Sequence, residues 1–348
     1  MERAQSLEIH FLGCEDVDSA DQIATFKLLS KHSSRWELLT ALAHCAGPGC
    51  SGETDESQRP GFDSVEFFHM AISLVDIGVF CEFRFLPTRL PALHQLTRYD
   101  FDAPWNKHRD LLKSLPNLQE VRIRRHFDDS DNWPEAGEPI NMLHLRRLYV
   151  TDSAILACLR VPALEELTIG INHAEDRETC RALERLLACS SCAPRRLCIE
   201  GLLDVQSMAE MLQKHLCFTE IAITSTQDEN EDIQREILSN FLALFTISNA
   251  TPSAMMLPHI TEIGFGCRKA DAMLYPLFLK MLESRWTIQG SSLKAAELLF
   301  PDPLAHPDPR SIARAGKLRQ AGLAILLLSG DEAEARVAEW LHHSSWWV

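Results

Sequence analysis

The sequence predicts an α/β fold, a solenoid of strand–helix repeats with a curved parallel sheet and outer helices. The first observation behind this is a short apolar phrase, Leu–x–x–Leu–x–Leu/Ile, loosely kept from near residue 93 to near residue 298. It reads Leu118–Val121–Ile123, Leu145–Leu148–Val150 and Leu164–Leu167–Ile169, with weaker copies at Leu197–Ile199, Phe218–Ile221–Ile223, Ile260–Ile263–Phe265 and Leu293–Ala296–Leu298. Leu93 and Leu96 open the series. The second observation is spacing. The first anchors stand at 93, 118, 145, 164, 194, 218, 260 and 293, in steps of 25, 27, 19, 30, 24, 42 and 33 residues. Most steps lie at or near the period of about 20–29 residues of a leucine-rich repeat, and the longer ones imply insertions. The third observation is what fills the gaps: segments whose apolar residues recur at helical spacing.

These elements are justified in turn. SLEIHFL (6–12) alternates like a strand, and ADQIATFKLLSKHSSRW (20–36) reads as a helix with Ile23, Phe26, Leu29 and Trp36 inward. GPGCSGETDESQRPG (47–61), DDSDNWPEAGEP (128–139) and TQDENED (226–232) have the Gly, Pro and charge of loops. CRALERLLACS (180–190) sets Leu183, Leu186 and Leu187 on one helical face, and DVQSMAEMLQKHL (204–216) does the same with Val205, Met208, Met211 and Leu212. HRDLLKSL, DSAILACL, DIQREILSNFLALF and LYPLFLKMLESRW fill the corresponding gaps. A strand followed by a helix and a strand of the same direction requires right-handed crossovers and a parallel sheet. After a proline-rich break at PDPLAHPDP come a basic helix (SIARAGKLRQ), a strand (LAILLLS) and an acidic helix (DEAEARVAEWLHH), read as a cap that closes the last exposed edge. The domain reading is therefore an irregular cap at 1–90, a leucine-rich-repeat solenoid (horseshoe) at 91–300 and a capping segment at 301–348.

Composition narrows the function. With 46% apolar and 24% charged residues, the 348-residue chain has the make-up of a well-cored soluble protein. No apolar run is long enough to cross a membrane, and MERAQSLEIHFLGCEDVD lacks the pattern of a signal peptide. The eleven cysteines, an odd count with many at apolar positions, suit reduced thiols in the cytoplasm or nucleus. A formal charge of −15 argues against nucleic acid or an acidic membrane as partner, because phosphate binding needs clustered Lys and Arg. Only Arg122, Arg124 and Arg125 cluster tightly, and Asp128, Asp129 and Asp131 follow at once.

A solenoid is usually a binding surface, so the expected site is the concave face. If the anchors point into the core, alternation sends the residues between them to that face. Its central row is Arg122, Tyr149, Thr168, Cys198, Ala222, Gly264 and Glu297, and the first four are the candidate partner-binding residues, Arg and Tyr being common anchors. The neighbouring row is Gln95, Glu120, Arg147, Glu166, Arg196, Glu220 and Glu262, and from Glu120 to Glu220 it alternates in sign, as expected of an ion-pair ladder that fixes register. Cys189 and Cys192 have C-x-x-C spacing with no second pair, so small residues at a tight turn are the better reading. His342 and His343 have no nearby Cys, His126 and Asp128 have no accompanying nucleophile elbow, and no phosphate-binding glycine loop occurs. Trp36 and Trp286, each after Ser-Arg, read as core plugs. The sequence thus reads as a non-enzyme that needs no metal or cofactor.

Several phrases, in order, resemble the leucine-rich-repeat region of fungal F-box proteins, especially the large mushroom-type families. They are SSRWELL (33–39), QLTRYDFDAPWNKHRDLLKSLPNLQEVRI (95–123), LRVPALEELTI (159–169), CSSCAPRRLCIEG (189–201), LPHITEIGFG (257–266), MLESRW (281–286) and GKLRQAGLAILLLSG (316–330). The resemblance implies the substrate-selecting portion of an SCF ubiquitin ligase, monomeric outside a complex, with a protein partner on the concave face. No Leu-Pro-x-Glu-Ile/Leu phrase of an F-box stands ahead of residue 90, so a Skp-type adaptor is expected only where an F-box lies upstream. A truncated gene product and a repeat-only relative both fit this. The alternative is a structural or regulatory repeat protein with no ubiquitin link.

Overall fold

Parallel strands form the frame of each of two compact units. The computed structural model describes residues 7–12, 36–43, 76–81, 95–102, 105–124, 138–170, 177–201, 203–225, 231–247, 256–268, 272–288, 291–302 and 306–341. The chain divides into two compact units, one of residues 1–150 with 157–163 and one of residues 151–156 with 164–348.

In the first unit, β1 (Leu7–Leu12), β2 (Trp36–Ala43), β3 (Asp76–Cys81), β4 (Arg98–Asp102), β5 (Glu120–Arg124) and β7 (Arg147–Val150) are neighbours in that order, all parallel. The segment before residue 90, irregular beyond its first strand by sequence pattern, thus carries three parallel strands. Trp36 opens β2 and does not end a helix. Helix α1 (Trp105–Ser114) joins β4 to β5, and a small parallel pair, β6 (Ile140–Asn141) with β8 (Leu159–Arg160), has no signal in the sequence pattern. DSAILACL, whose spacing predicts a helix, forms a 3-10 turn at Ser153–Cys158. The physical reason is length: the anchor step there is only 19 residues, too few for strand, α-helix and return.

The second unit repeats one pattern. Strands β9 (Glu166–Gly170), β10 (Arg196–Glu200), β11 (Glu220–Thr224), β12 (Glu262–Gly266), β13 (Ala295–Phe300) and β14 (Ala324–Ser329) are parallel neighbours. Between them run α2 (Arg177–Ser190), α3 (Val205–Lys214), α4 (Glu231–Phe245), α5 (Leu274–Trp286) and α6 (Pro309–Gln320), each packed on the next. Helix α7 (Asp331–Trp340) follows β14. Helix α6 starts at Pro309, inside the segment read as a break and ahead of the SIARAGKLRQ helix the sequence predicts: Asp308 accepts hydrogen bonds from the Arg310 and Ser311 amides, and Pro309 stands at a position whose N–H would be unsatisfied anyway.

Register comes from a repeated backbone device. In the second unit the carbonyls just ahead of β10, β11 and β12 each accept two successive amides from the next repeat: Arg195 O from Thr219 (2.8 Å) and Glu220 (3.0 Å), Thr219 O from Thr261 (2.7 Å) and Glu262 (3.2 Å), Thr261 O from Lys294 (2.8 Å) and Ala295 (3.0 Å). The same device recurs at Thr97 and Gln119 in the first unit. The repeat anchors Leu118, Val121, Ile123, Leu145, Leu148, Leu164, Leu167 and Ile169 are all buried. Period-2 alternation forces the intervening side chains to the opposite side of the sheet.

One core prediction is corrected. Trp286 is only partly buried, and it is Arg285, the residue before it, that fills the core. Its guanidinium donates to the carbonyls of Met256 (2.6 Å), Phe245 (2.7 Å) and Leu257 (3.4 Å) and lies over the Phe245 ring. Burial brings its pKa down to about 10, so it stays charged at neutral pH. These carbonyls belong to the end of α4 and the loop before β12, whose acceptors have no intrahelical donor.

Candidate functional site

The four candidate residues all lie on the sheet side away from the repeat anchors, and all four are buried. Arg122 on β5 pairs in register with Tyr149 on β7, and its guanidinium sits 5.7 Å from the Tyr149 ring centroid and 3.5 Å from Asp100 on β4. A buried guanidinium next to a carboxylate and an aromatic face is a stabilised internal cluster, and removing one partner would strand a charge. In the other unit, Thr168 on β9 is the register partner of Cys198 on β10. Burial pushes the Cys198 thiol up to about 12, so it is protonated and a poor nucleophile or ligand.

Beyond Cys198, the same row continues with Ala222, Gly264 and Glu297, and there the structure shows something the sequence pattern does not. Helix α7 lies across this face. The sequence reads α6, β14 and α7 together as a cap that closes the last sheet edge; β14 stands at that edge, while α7 turns back over the strands. Ala333, Trp340 and Leu341 form a buried cluster with Cys198, Ala222 and Leu299, flanked by Leu328 and Val337. The indole of Trp340 sits so close to Gly264 that a Cβ on that residue would lie 2.5 Å from it. A pleat further on, a Cβ on Gly266 would meet the Thr224 side chain of the neighbouring strand at 2.7 Å, with Val337 of α7 at 3.4 Å, an ordinary contact.

Glu297 is the polar centre of this contact. It is 8% exposed and accepts from the Trp340 indole N–H at 2.9 Å. The Arg336 guanidinium grips the same carboxylate through two bonds, Nη2 at 2.6 Å and Nε at 2.9 Å. Such paired, charge-assisted bonds are the strong ones, and they raise the Arg336 pKa above its ordinary value. Arg196 donates to the Trp340 carbonyl at 3.4 Å, at the end of α7, where acceptors need a donor. A signal was present in the sequence: Ala222 and Gly264 are small residues at equivalent repeat positions, and Ala333, Val337 and Trp340 fall on one helical stripe.

Next to the row lies the charged ladder. Glu120 meets Arg98 at 3.5 Å and Arg147 at 3.4 Å. Glu166 meets Arg196 at 3.8 Å, as the spacing predicts, but its closer partner is Arg195 at 2.9 Å, which also bridges to Glu220. The alternation then fails, since Glu262 is the register partner of Glu220. Burial, with help from Glu262, raises the Glu220 carboxyl, against the lowering pull of Arg195. An open cleft of ≈ 100 Å³ sits where this acidic end meets α7, with Glu220, Glu262, Ala295 and Trp340 in its walls.

Of the residues with chemical potential in the sequence, Cys189 is exposed and Cys192 half-buried, with burial lifting the latter to about 11. No group of three or more His, Cys, Asp or Glu suited to a metal ion occurs among the described residues. His126, Asp128, His342 and His343, the Trp36 side chain, the segments 20–35 and 47–61, and most of 128–139 and 226–232 lie outside them. No helix among the described residues is long and apolar enough to cross a membrane. No protein-family model matches the chain, and comparison with curated proteins gives no match.

Proposed function

We propose that the chain is a protein-binding module, a leucine-rich-repeat solenoid whose polar sheet face meets a partner protein. In keeping with its resemblance to F-box proteins, it would serve as the substrate-recognition portion of a ubiquitin ligase in the cytoplasm or nucleus. The observation that carries the reading is the equivalence of the strands. Strands β10, β11 and β12 each begin on the same two-amide carbonyl contact, bury their anchors on the helix side, and turn their first residue to the other side, so that Glu166, Arg196, Glu220 and Glu262 of β9–β12 form one row. Binding by such a row is spread over several strands and needs no catalytic group. A Skp-type adaptor enters this reading only through an F-box ahead of the repeats.

The exposed acidic end of the row, Glu262 beside Glu220, fits a partner that presents Lys or Arg, and the net charge of −15 favours the same sign of partner. The test is capture from an extract of the host cells with the unmodified chain and with Glu262→Arg, followed by mass spectrometry. The expected result is a specific protein retained by the first and reduced about tenfold or more by the second. Capture of the same proteins at the same yield by both, or of none by either, overturns the reading.

A further inference from the structure

The sheet face of β10–β13 has an occupant, and the occupant is shaped like a ligand. Helix α7 reaches the face through a single residue, Gly330, which follows β14 directly. Its φ of 68° and ψ of −148° belong to a region that only glycine enters readily. The helix meets the sheet along one stripe, Ala333, Arg336, Val337 and Trp340. Its other side is solvated: Asp331, Glu332, Glu334 and Glu339 are exposed, and the acidic residues of the first turn favour the helix on their own account. The receiving face is complementary at each point. Gly264 makes the shelf for the indole, Ala222 and Leu299 flank it, and Glu297 takes both the indole N–H and the guanidinium.

From this geometry we infer that β10–β13 form a helix-receiving groove, that α7 fills it in cis, and that the partner docks by displacing α7 with an amphipathic helix of its own. That helix would carry the same pair, Arg-x-x-x-Trp, with a small residue one turn earlier. The inference rests on the protein-binding reading above and names the partner's chemistry and the gate in front of it. Three features of the contact support displacement. The centre of the groove is lined by small side chains, Cys198, Ala222 and Gly264, which leave room for an aromatic anchor. Its polar contacts converge on one carboxylate, so an incoming Arg and Trp can take over Glu297 without leaving it unpaired. A released α7 would expose a short stripe and keep its charged side in water. Because α7 is tethered, its effective concentration at the groove is high, of order millimolar, and a free helix competes poorly until the tethered one is weakened.

The test uses the full chain and a fluorescent peptide with the sequence of residues 330–341. The peptide should bind a Trp340→Ala chain at least about tenfold more tightly than the unmodified chain, because the tethered competitor has lost its anchor. The same peptide carrying the Trp340→Ala change should not bind either chain. An Arg336→Gln chain provides a second, milder release should the first variant fail to fold, which circular dichroism and melting would show. Hydrogen exchange on the unmodified chain supplies an independent readout: the α7 amides should exchange at least about tenfold faster than those of α3 and α5, by local opening. Equal peptide affinity for folded variant and unmodified chains overturns the inference, as does exchange of α7 only together with α3 and α5. A partner lost on Glu262→Arg but indifferent to the peptide would leave the protein-binding reading standing and remove this one.

Discussion

The two sides of the β10–β13 sheet are built on opposite plans. On the helix side, Leu197, Ile199, Ile221, Ile223, Ile263, Phe265 and Leu298 meet several helices, and no position in that row depends on a charge. Phe265 stands edge-to-face with Phe245 on α4 (6.2 Å) and Phe278 on α5 (6.4 Å). On the other side a single helix rests on Cys198, Ala222, Gly264 and Leu299 and is located by one carboxylate, Glu297. The first side is held by volume, because large side chains from many elements interdigitate and each excludes water from the next. The second is held by fit and direction, because a glycine shelf and a forked hydrogen bond accept only one pose. The lesson is that burial alone does not distinguish the sides: Phe265 and Leu298 on one and Cys198 and Leu299 on the other are equally buried, and only one side needs the rest of the helices to exist.

The largest effect is expected on the first side. Phe265→Ala should lower global stability by about 3–5 kcal/mol, measured by urea denaturation, since it leaves a cavity between two helices and a strand and removes two ring contacts. A loss below about 1 kcal/mol would mean that the site collapses freely and that the packing contrast is overstated.

On the second side, Gly264→Ala tests the shelf. The added methyl cannot coexist with the indole at 2.5 Å, so α7 must shift or lift, at a cost of about 1–3 kcal/mol. The cost should be confined to α7, seen as faster amide exchange in 331–340 with α3 and α5 unchanged. Loss of protection throughout the unit would show that the helix is as integral as the others.

The smallest effect belongs to the ladder at the margin of the second side. Arg195→Glu places a third carboxylate between Glu166 and Glu220 and should cost about 1 kcal/mol at low salt, less at high salt. The pH dependence has a definite sign. Glu220 already has a folded-state pKa raised by burial, so its contribution favours the fold below the ordinary carboxylate range and is lost as pH rises through the raised value. Replacing Arg195 removes a lowering influence and lifts that value further. The melting temperature deficit of the variant should therefore be largest at pH 7 and shrink on going to pH 4; a deficit independent of pH and salt would show that lost packing by the Arg195 stem, and not charge, is responsible.

What the sequence by itself determined is the local and periodic portion. Leu118, Val121 and Ile123, and their counterparts in the later repeats, specify strand and core because a two-residue period followed by a helical one admits few alternatives. The helices at 177–190, 205–214, 231–245 and 274–286 were legible from the same spacing. The alternating Glu and Arg row was legible too, down to the Glu166–Arg196 pair, because residues at equivalent repeat positions become register neighbours. What only the tertiary structure decided is where non-periodic pieces go. Strands β2 and β3 stand in a segment with no repeated phrase, so pairing with their neighbours, not their own pattern, identifies them. Arg285 took the core in place of Trp286 because the carbonyls of Phe245, Met256 and Leu257 needed a donor there, a demand set by residues about thirty to forty positions away. The placement of α7 is the deepest case. Its stripe of Ala333, Val337 and Trp340 says that it must cover something, while the choice between sheet edge and sheet face rests on Gly264 and Glu297, 76 and 43 residues earlier in the chain. A single sequence shows such residues as small or acidic, and only the close approach of the indole shows that they form a seat.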